Sequence, residues 1–244
     1  MAGGAFLEGA WRRGRLALLA LLAGAAPAWA GPNLLQNGTF AAGSLAHWTL
    51  TNTGTTTSNA VVIATDNVAR NYPTGAYGEA IPKDTLLTGS PDVSAGYAIY
   101  FSTDTGTQTL TQSVTLGIGT YGIGFDAFVP QNGYNNTHDA TFTADIAGTS
   151  LLASSSVATI GATYGVTKWV TVSAQAQIAA AGTYTMTFSF TGLGSTAKDI
   201  LVDRVYVTDL STATGTAVPE PAGAALLALP LLALVLSRRR RQPR

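Results

Sequence analysis

Side chains capable of acid–base or metal chemistry are scarce in this 244-residue sequence, and the scarcity narrows its function. There are two histidines, His47 and His138, and no cysteine. His138 is followed by Asp139 in the polar run QNGYNNTHD, which is half of an acid–base pair. His47 lies beside Trp48 in a strand-like stretch, where a packing or surface role suits it. A hydrolytic centre needs a completing element: a Gly-x-Ser-x-Gly elbow, zinc-ligand spacing, or a marked pair of carboxylates. The sequence contains no such element, so we expect no enzymatic activity. Without cysteine there is no thiol nucleophile, no thiolate metal site and no disulfide. Recognition chemistry remains. Exposed aromatic rings stack on the apolar faces of sugars, beside amides and carboxyls that bond hydroxyls. Tyr72 and Tyr77 in NYPTGAYGE, Tyr134, and Trp169 are the candidates, with the loop tyrosines ahead of Trp169. Trp48 is assigned to the core.

Strands must position these residues. The middle of the chain is rich in Thr, Ser, Gly and β-branched residues, and it alternates with period two. In TLTQSVTL, residues Leu110, Gln112, Val114 and Leu116 share one face. In YGIGFDAFV, residues Tyr121, Ile123, Phe125, Ala127 and Val129 do so. Phe142, Ala144 and Ile146 repeat the pattern, as do Tyr184, Met186, Phe188 and Phe190. One buried face and one wet face mark antiparallel strands. Gly117-Ile118-Gly119 between the first two runs is consistent with a hairpin. Two stretches read as long loops, Asp66 to Pro91 and Pro130 to Asp139. Many short strands with such turns imply an all-β antiparallel sandwich or jelly roll.

Charge is sparse too. Between Gly31 and Thr216 there are five basic and eleven acidic residues, a net charge of −6. With no basic patch, nucleic acid is not an expected partner. The last candidate strand, DILVDRVYV, holds a carboxylate in an apolar setting. On strict alternation Leu201, Asp203, Val205 and Val207 share a face, and Ile200, Val202, Arg204 and Tyr206 share the other. Both faces are largely apolar, so Asp203 must be hydrogen-bonded, paired or metal-bound.

The two ends read as processing segments. Arg12, Arg13 and Arg15, the apolar run Leu16 to Ala26, and Ala28-Trp29-Ala30 have the order of a secretory signal peptide. Cleavage after the Ala28-x-Ala30 site would leave a mature chain starting at Gly31. At the other end, Pro219-Glu220-Pro221 precedes the apolar run Ala222 to Leu236 and then Arg238, Arg239, Arg240 and Arg241. As a helix the apolar run spans roughly 22 Å, at 1.5 Å per residue. That is less than the hydrocarbon core of about 30 Å, yet within reach of a thinned bilayer. The arginines would hold its end in the cytoplasm. This tail closely resembles the PEP-CTERM sorting signal of exported Gram-negative proteins. The resemblance implies transient recognition by a membrane exosortase, cleavage near the Pro-Glu-Pro, and transfer from an inner-membrane-anchored precursor to the cell surface or extracellular matrix. A permanent C-terminal anchor is the alternative.

The start of the expected mature chain, GPNLLQNGTFAAGSLAHWTL, resembles the first strand of galactose-binding-like jelly rolls. Asn33, Leu34, Leu35, Asn37, Gly38, Phe40 and Trp48 carry the match, and DILVDRVYV resembles their final strand. Many of that fold are carbohydrate-binding modules, so the resemblance implies a polysaccharide partner. It also implies a structural calcium held by Asp203 with backbone carbonyls around Asn37 and Thr39. Ala41 stands where the family's acidic ligand would be, and a plain hydrogen bond from the backbone to Asp203 is the competing reading. The expected organisation is a signal peptide over 1–30, a β-sandwich over 31–210, a linker over 211–217 and the sorting signal with its short transmembrane helix over 218–244. A structural or adhesive surface protein with no small ligand is the alternative function.

Overall fold

A computed structural model describes residues 31–66, 79–86, 92 and 96–211. The signal peptide, Tyr72, Tyr77, the linker beyond Ser211 and the Pro-Glu-Pro tail lie outside the described residues. Within the described residues ten strands and two short helices follow one another. They are β1 (Thr49–Thr53), β2 (Val61–Ala64), β3 (Tyr97–Phe101), β4 (Thr107–Leu116), β5 (Gly119–Phe128), α1 (Gln131–Tyr134), β6 (Ala140–Ile146), β7 (Thr149–Ser156), α2 (Val157–Tyr164), β8 (Trp169–Ile178), β9 (Gly182–Gly192) and β10 (Ile200–Asp209). Every strand pair is antiparallel. The first sheet has the order β1-β4-β9-β6-β7 and the second the order β2-β3-β10-β5-β8. The two stack as a β-sandwich of jelly-roll type, as the alternating runs imply. Among the described residues no helix is long and apolar enough to cross a membrane.

The core lies between the sheets. Leu110, Val114, Leu116, Phe142, Ala144, Ile146, Met186, Phe188 and Phe190 reach inward from the first sheet and meet Ile123, Phe125 and Val202 from the second. Phe188 centres an aromatic cluster: its ring centroid is 5.1 Å from that of Phe125 and 6.0 Å from that of Phe142. Such edge-to-face and offset contacts add about 0.5–1.5 kcal/mol each beyond burial. Trp48 is buried against Phe40 and Phe188.

Three local expectations change. Gly117-Ile118-Gly119 is not a hairpin, because β4 pairs with β1 and β9 while β5 pairs with β10 and β8. The connection crosses from one sheet to the other. The Tyr121 hydroxyl ties it, accepting from Gly117 N at 3.0 Å and lying 3.2 Å from Gly117 O. Residues 31–48 form turns rather than a first strand. They are laced to β10 by Asn33: its Nδ2 donates to Val205 O at 2.8 Å, and its Oδ1 accepts from Val207 N at 3.0 Å. Gly38 O accepts from Val205 N at 2.9 Å, and a Cβ on Gly38 would sit 2.1 Å from Val205 O, so only glycine permits this approach. In β10 itself strict alternation fails. The register with β5 shifts between Asp203 and Tyr206, and Arg204 has φ of 49°. This β-bulge puts Val205 and Val207 on the core side with Ile200 and Val202, and leaves Leu201, Asp203 and Tyr206 on the outer side.

Asn33 is the checkpoint for this lacing. Asn33→Ala removes several hydrogen bonds at once and should lower unfolding free energy by about 2–3 kcal/mol. Urea denaturation measures it, and an unchanged midpoint would show that the N-terminal segment is not fastened through Asn33.

Candidate functional site

The outer face of the second sheet is covered by a strap, residues 79–86. Ile81 of the strap is fully buried with Ile63, Ala98, Tyr100, Phe128, Trp169 and Leu201. Glu79 anchors one end, its Oε1 and Oε2 accepting from Gln131 N at 2.9 Å and Asn132 N at 2.8 Å. Trp169 is part of this second cluster. Its indole Nε1 donates to Pro82 O at 2.8 Å, its ring packs 5.2 Å from Phe128, and it is 8% exposed. Its faces are therefore not open for stacking on a ligand. No local pattern signals this, since burial here comes from a loop 87 residues away in the chain. Tyr134 is half-buried at the end of α1, with the Lys198 ammonium 4.9 Å from its ring centroid. The same ammonium donates to Tyr134 O and Asn136 O, so this ring is engaged within the molecule.

Asp203 lies beside an unexpected set of charges. Asp203 and Asp126 are directly paired across β10 and β5, and Asp84 reaches in from the strap. All three carboxyls and Arg204 are at most 1% exposed. Arg204 Nε is 3.6 Å from Asp84 Oδ2. Asp126 Oδ1 accepts from the Thr171 hydroxyl at 2.6 Å, and Asp203 Oδ1 accepts from Arg204 N at 2.7 Å. Among the described residues Asp203 Oδ2 has no hydrogen-bond donor, and Asp126 lies within hydrogen-bonding reach of the Asp84 carboxyl. Burial, then the neighbouring Asp84 carboxyl, pushes Asp126 up to about 8. Burial, opposed by the Arg204 amide, pushes Asp203 up to about 9. Held as acids, these two leave the Asp84–Arg204 ion pair as the cluster's net charge balance. Asp199, elsewhere on the strand's approach, accepts from the Tyr100 hydroxyl at 2.9 Å and is pushed up to about 8 by burial.

A calcium ion does not fit the residues expected to hold it. Asn37 O already accepts from Trp48 Nε1 at 3.1 Å and from Phe40 N at 3.2 Å. The Asn37 side chain is spent on Ser44 O, Ala46 O and Ala42 N. Asp203 Oδ1 already accepts from Arg204 N at 2.7 Å. Thr39 is buried near the β10 contact of Gly38. Among the described residues no group of three His, Asp or Glu is disposed to hold a metal. Hydrolysis by paired carboxyls would need a cleft, whereas Asp84 and Asp126 are sealed. His138 Nδ1 is 2.5 Å from Ser195 O, and His138 N and O bond Thr196 O and Lys198 N, so this histidine pins a loop.

The outer face of the first sheet differs. Register places Thr53, Thr107, Thr191, Thr141 and Ser156 in one row across the strands. Thr51, Thr109, Ser189 and Thr143 form the next, and Thr49, Thr111, Thr187, Asp145 and Ser150 the third. Within each row, hydroxyls thus repeat at the strand spacing of about 4.8 Å. Asp145 is the one charged side chain in these three rows. Threonine is stiff at χ1, so this surface is largely pre-ordered.

Solved structures similar to this chain include TmCBM61 in complex with β-1,4-galactotriose, at 17% identity and a TM-score of 0.43, covering 73% of this chain and 99% of that one. The xylan-binding domain CBM22-1 of Paenibacillus barcinonensis Xyn10C is similar at 15% identity and a TM-score of 0.40, covering 74% and 96%. A family 16 carbohydrate-binding module is similar at 14% and 0.40, covering 72% and 100%. At these identities and scores the likeness bears on neither ligand nor site. No protein-family model matches the chain, and no curated protein does.

The acid cluster makes a pH prediction with a definite sign. In the unfolded chain these carboxyls ionise near 4, whereas folded Asp126, Asp199 and Asp203 keep their protons to about 8 or 9. Between those limits unfolding releases protons, so raising pH favours the unfolded state. Thermal scans should give a Tm at pH 5 higher than at pH 9, by about 5 °C or more. Asp126→Asn keeps an acceptor for Thr171 and supplies an N–H toward Asp84. It should raise Tm at pH 8 and flatten the pH profile. A loss of stability at pH 8 would show that Asp126 is ionised in the fold.

Proposed function

We propose that this is an exported β-sandwich protein, sorted through Pro219-Glu220-Pro221 and Arg238 to Arg241 by an exosortase, that binds neutral extracellular polysaccharide without modifying it. The observation that carries the binding half is the hydroxyl face of the first sheet. It offers donors and acceptors in register with almost no charge, which suits a polyhydroxylated, uncharged partner rather than an ionic one. The order of Arg12 to Arg15, the apolar run Leu16 to Ala26 and Ala28-Trp29-Ala30 supports export. The tail supports the sorting half, because its three parts stand in order at the C-terminal end.

A second reading, a structural or adhesive coat protein, is favoured by one observation: Trp169 and Tyr134 are both engaged internally. Co-sedimentation separates the two. The full chain should pellet with insoluble cellulose, galactan or xylan, and retention should persist at 0.5 M salt, since screening weakens only ionic contacts. No retention on any neutral polysaccharide favours the coat reading. Intact mass of the protein recovered from its host tests the sorting half. Loss of the segment after Pro219–Pro221 is expected; a mass that retains Arg238–Arg241 would identify a permanent anchor.

A further inference from the structure

The hydroxyl face has a notch at one edge, and its cause is the unequal length of two strands. β1 ends its pairing with β4 at Thr49–Thr111, whereas β4 continues to Leu116. Beyond Thr111 the first sheet lacks its edge strand, and the turns of residues 31–48 close the gap only in part. The result is an open depression of about 330 Å³ lined by Gln36, His47, Thr49, Thr111, Gln112 and Ser113. That volume falls at the lower end of the range for small-ligand sites, about 300–1,000 Å³.

Its walls are fixed. The Gln112 side chain clasps the backbone of Gln36, accepting from its N at 2.7 Å and donating to its O at 2.8 Å. Asn37 braces the turn behind, donating to Ser44 O at 2.9 Å and Ala46 O at 3.0 Å. The next residue, His47, has φ of 69°, a conformation rare for a non-glycine residue and held here by that bracing. Trp48 then plugs into the core. The exposed His47 ring is thus presented by a rigid loop, opposite hydroxyls on rigid strands.

The chemistry of the lining selects its ligand. It contains no carboxylate, ammonium or guanidinium, so neither a metal ion nor an anion finds a counter-charge. It contains no aliphatic or phenyl wall for an apolar ligand. With the Gln112 amide engaged on Gln36, the three hydroxyls of Thr49, Thr111 and Ser113, the Gln36 amide and the His47 imidazole offer both donors and acceptors, the set that hydroxyl groups on adjacent carbons require. We propose that the notch is a saccharide subsite, binding one or two units of a neutral glycan by hydrogen bonds and without aromatic stacking. The proposal rests on the carbohydrate-binding reading and adds its location.

Titration of the ¹⁵N-labelled full chain in mild detergent with cellotriose, galactotriose and xylotriose tests it. At least one sugar should shift the amide resonances of Gln36, His47, Thr111 and Ser113. Thr111→Val keeps shape and strand propensity while removing a hydroxyl, and should weaken binding about fivefold, the value of one neutral hydrogen bond. Ser113→Tyr, at an exposed strand position, should fill the notch and abolish binding; an unchanged thermal midpoint excludes misfolding as the cause. If a sugar binds with shifts elsewhere, and both variants bind like the parent chain, the notch is overturned and the carbohydrate reading stands. If none of the three shifts the notch resonances, the subsite is overturned; retention on whole polysaccharide then decides the broader reading separately.

Discussion

The constraint on which this molecule turns is that β10 is buried on both of its faces. A sandwich strand ordinarily gives one face to the core and one to water. Here residues Ile200 to Thr208 are all buried, because the strap and its neighbours seal the outer side. A strand in that position must satisfy its polar side chains without water. It does so with a bulge at Arg204, which turns a guanidinium toward Asp84, and with carboxyls held as acids. The bulge in turn aligns Val205 and Val207 with the core and presents their backbone groups to Asn33 and Gly38. The N-terminal turns therefore depend on the same distortion that accommodates the charge.

Through those turns the effect reaches the opposite edge of the sandwich. Residues 31–48 bond β10 of the second sheet at Asn33 and Gly38, and β4 of the first sheet at Gln36. They act as a clip between the layers. Because the clip occupies the edge that β1 leaves vacant, it also shapes the notch and holds His47 in a strained backbone conformation. A buried charge arrangement on one sheet and a polar recess on the other are thus joined by a few backbone hydrogen bonds.

The two outer faces are opposites, and the contrast carries the functional argument. The second sheet hides its aromatics: Tyr100, Phe128 and Trp169 are buried with Ile81, and the Trp169 indole is tied to Pro82 O. The first sheet displays hydroxyls. A ligand meeting this protein at the described surface of the first sheet meets threonine and serine, with little ring surface and little charge. Recognition there is a matter of hydrogen-bond geometry, and each such bond exchanges with water at small net gain. Affinity at one subsite is accordingly modest, and attachment to a long polymer would gain from repeated contact.

Period-two patterning, read from the sequence alone, determined the fold class and the inward faces of β4, β5, β6 and β9, because side-chain alternation is a property of the strand itself. It also marked Asp203 as a carboxylate needing a partner, since burial of an unpaired charge is forbidden wherever it falls. Strand pairing was not legible: the glycines after β4 suit a hairpin and a sheet crossover equally, and only long-range register separates them. Nor was the bulge, which reverses the faces of Val205 and Val207 by one inserted residue. The fate of Trp169, the Asp84 and Asp126 partners, and the notch at His47 were decided by tertiary structure alone. Each arises from segments distant in sequence, such as 82 and 169, or 84 and 204, or 36 and 112, and no local pattern encodes which distant segments will meet.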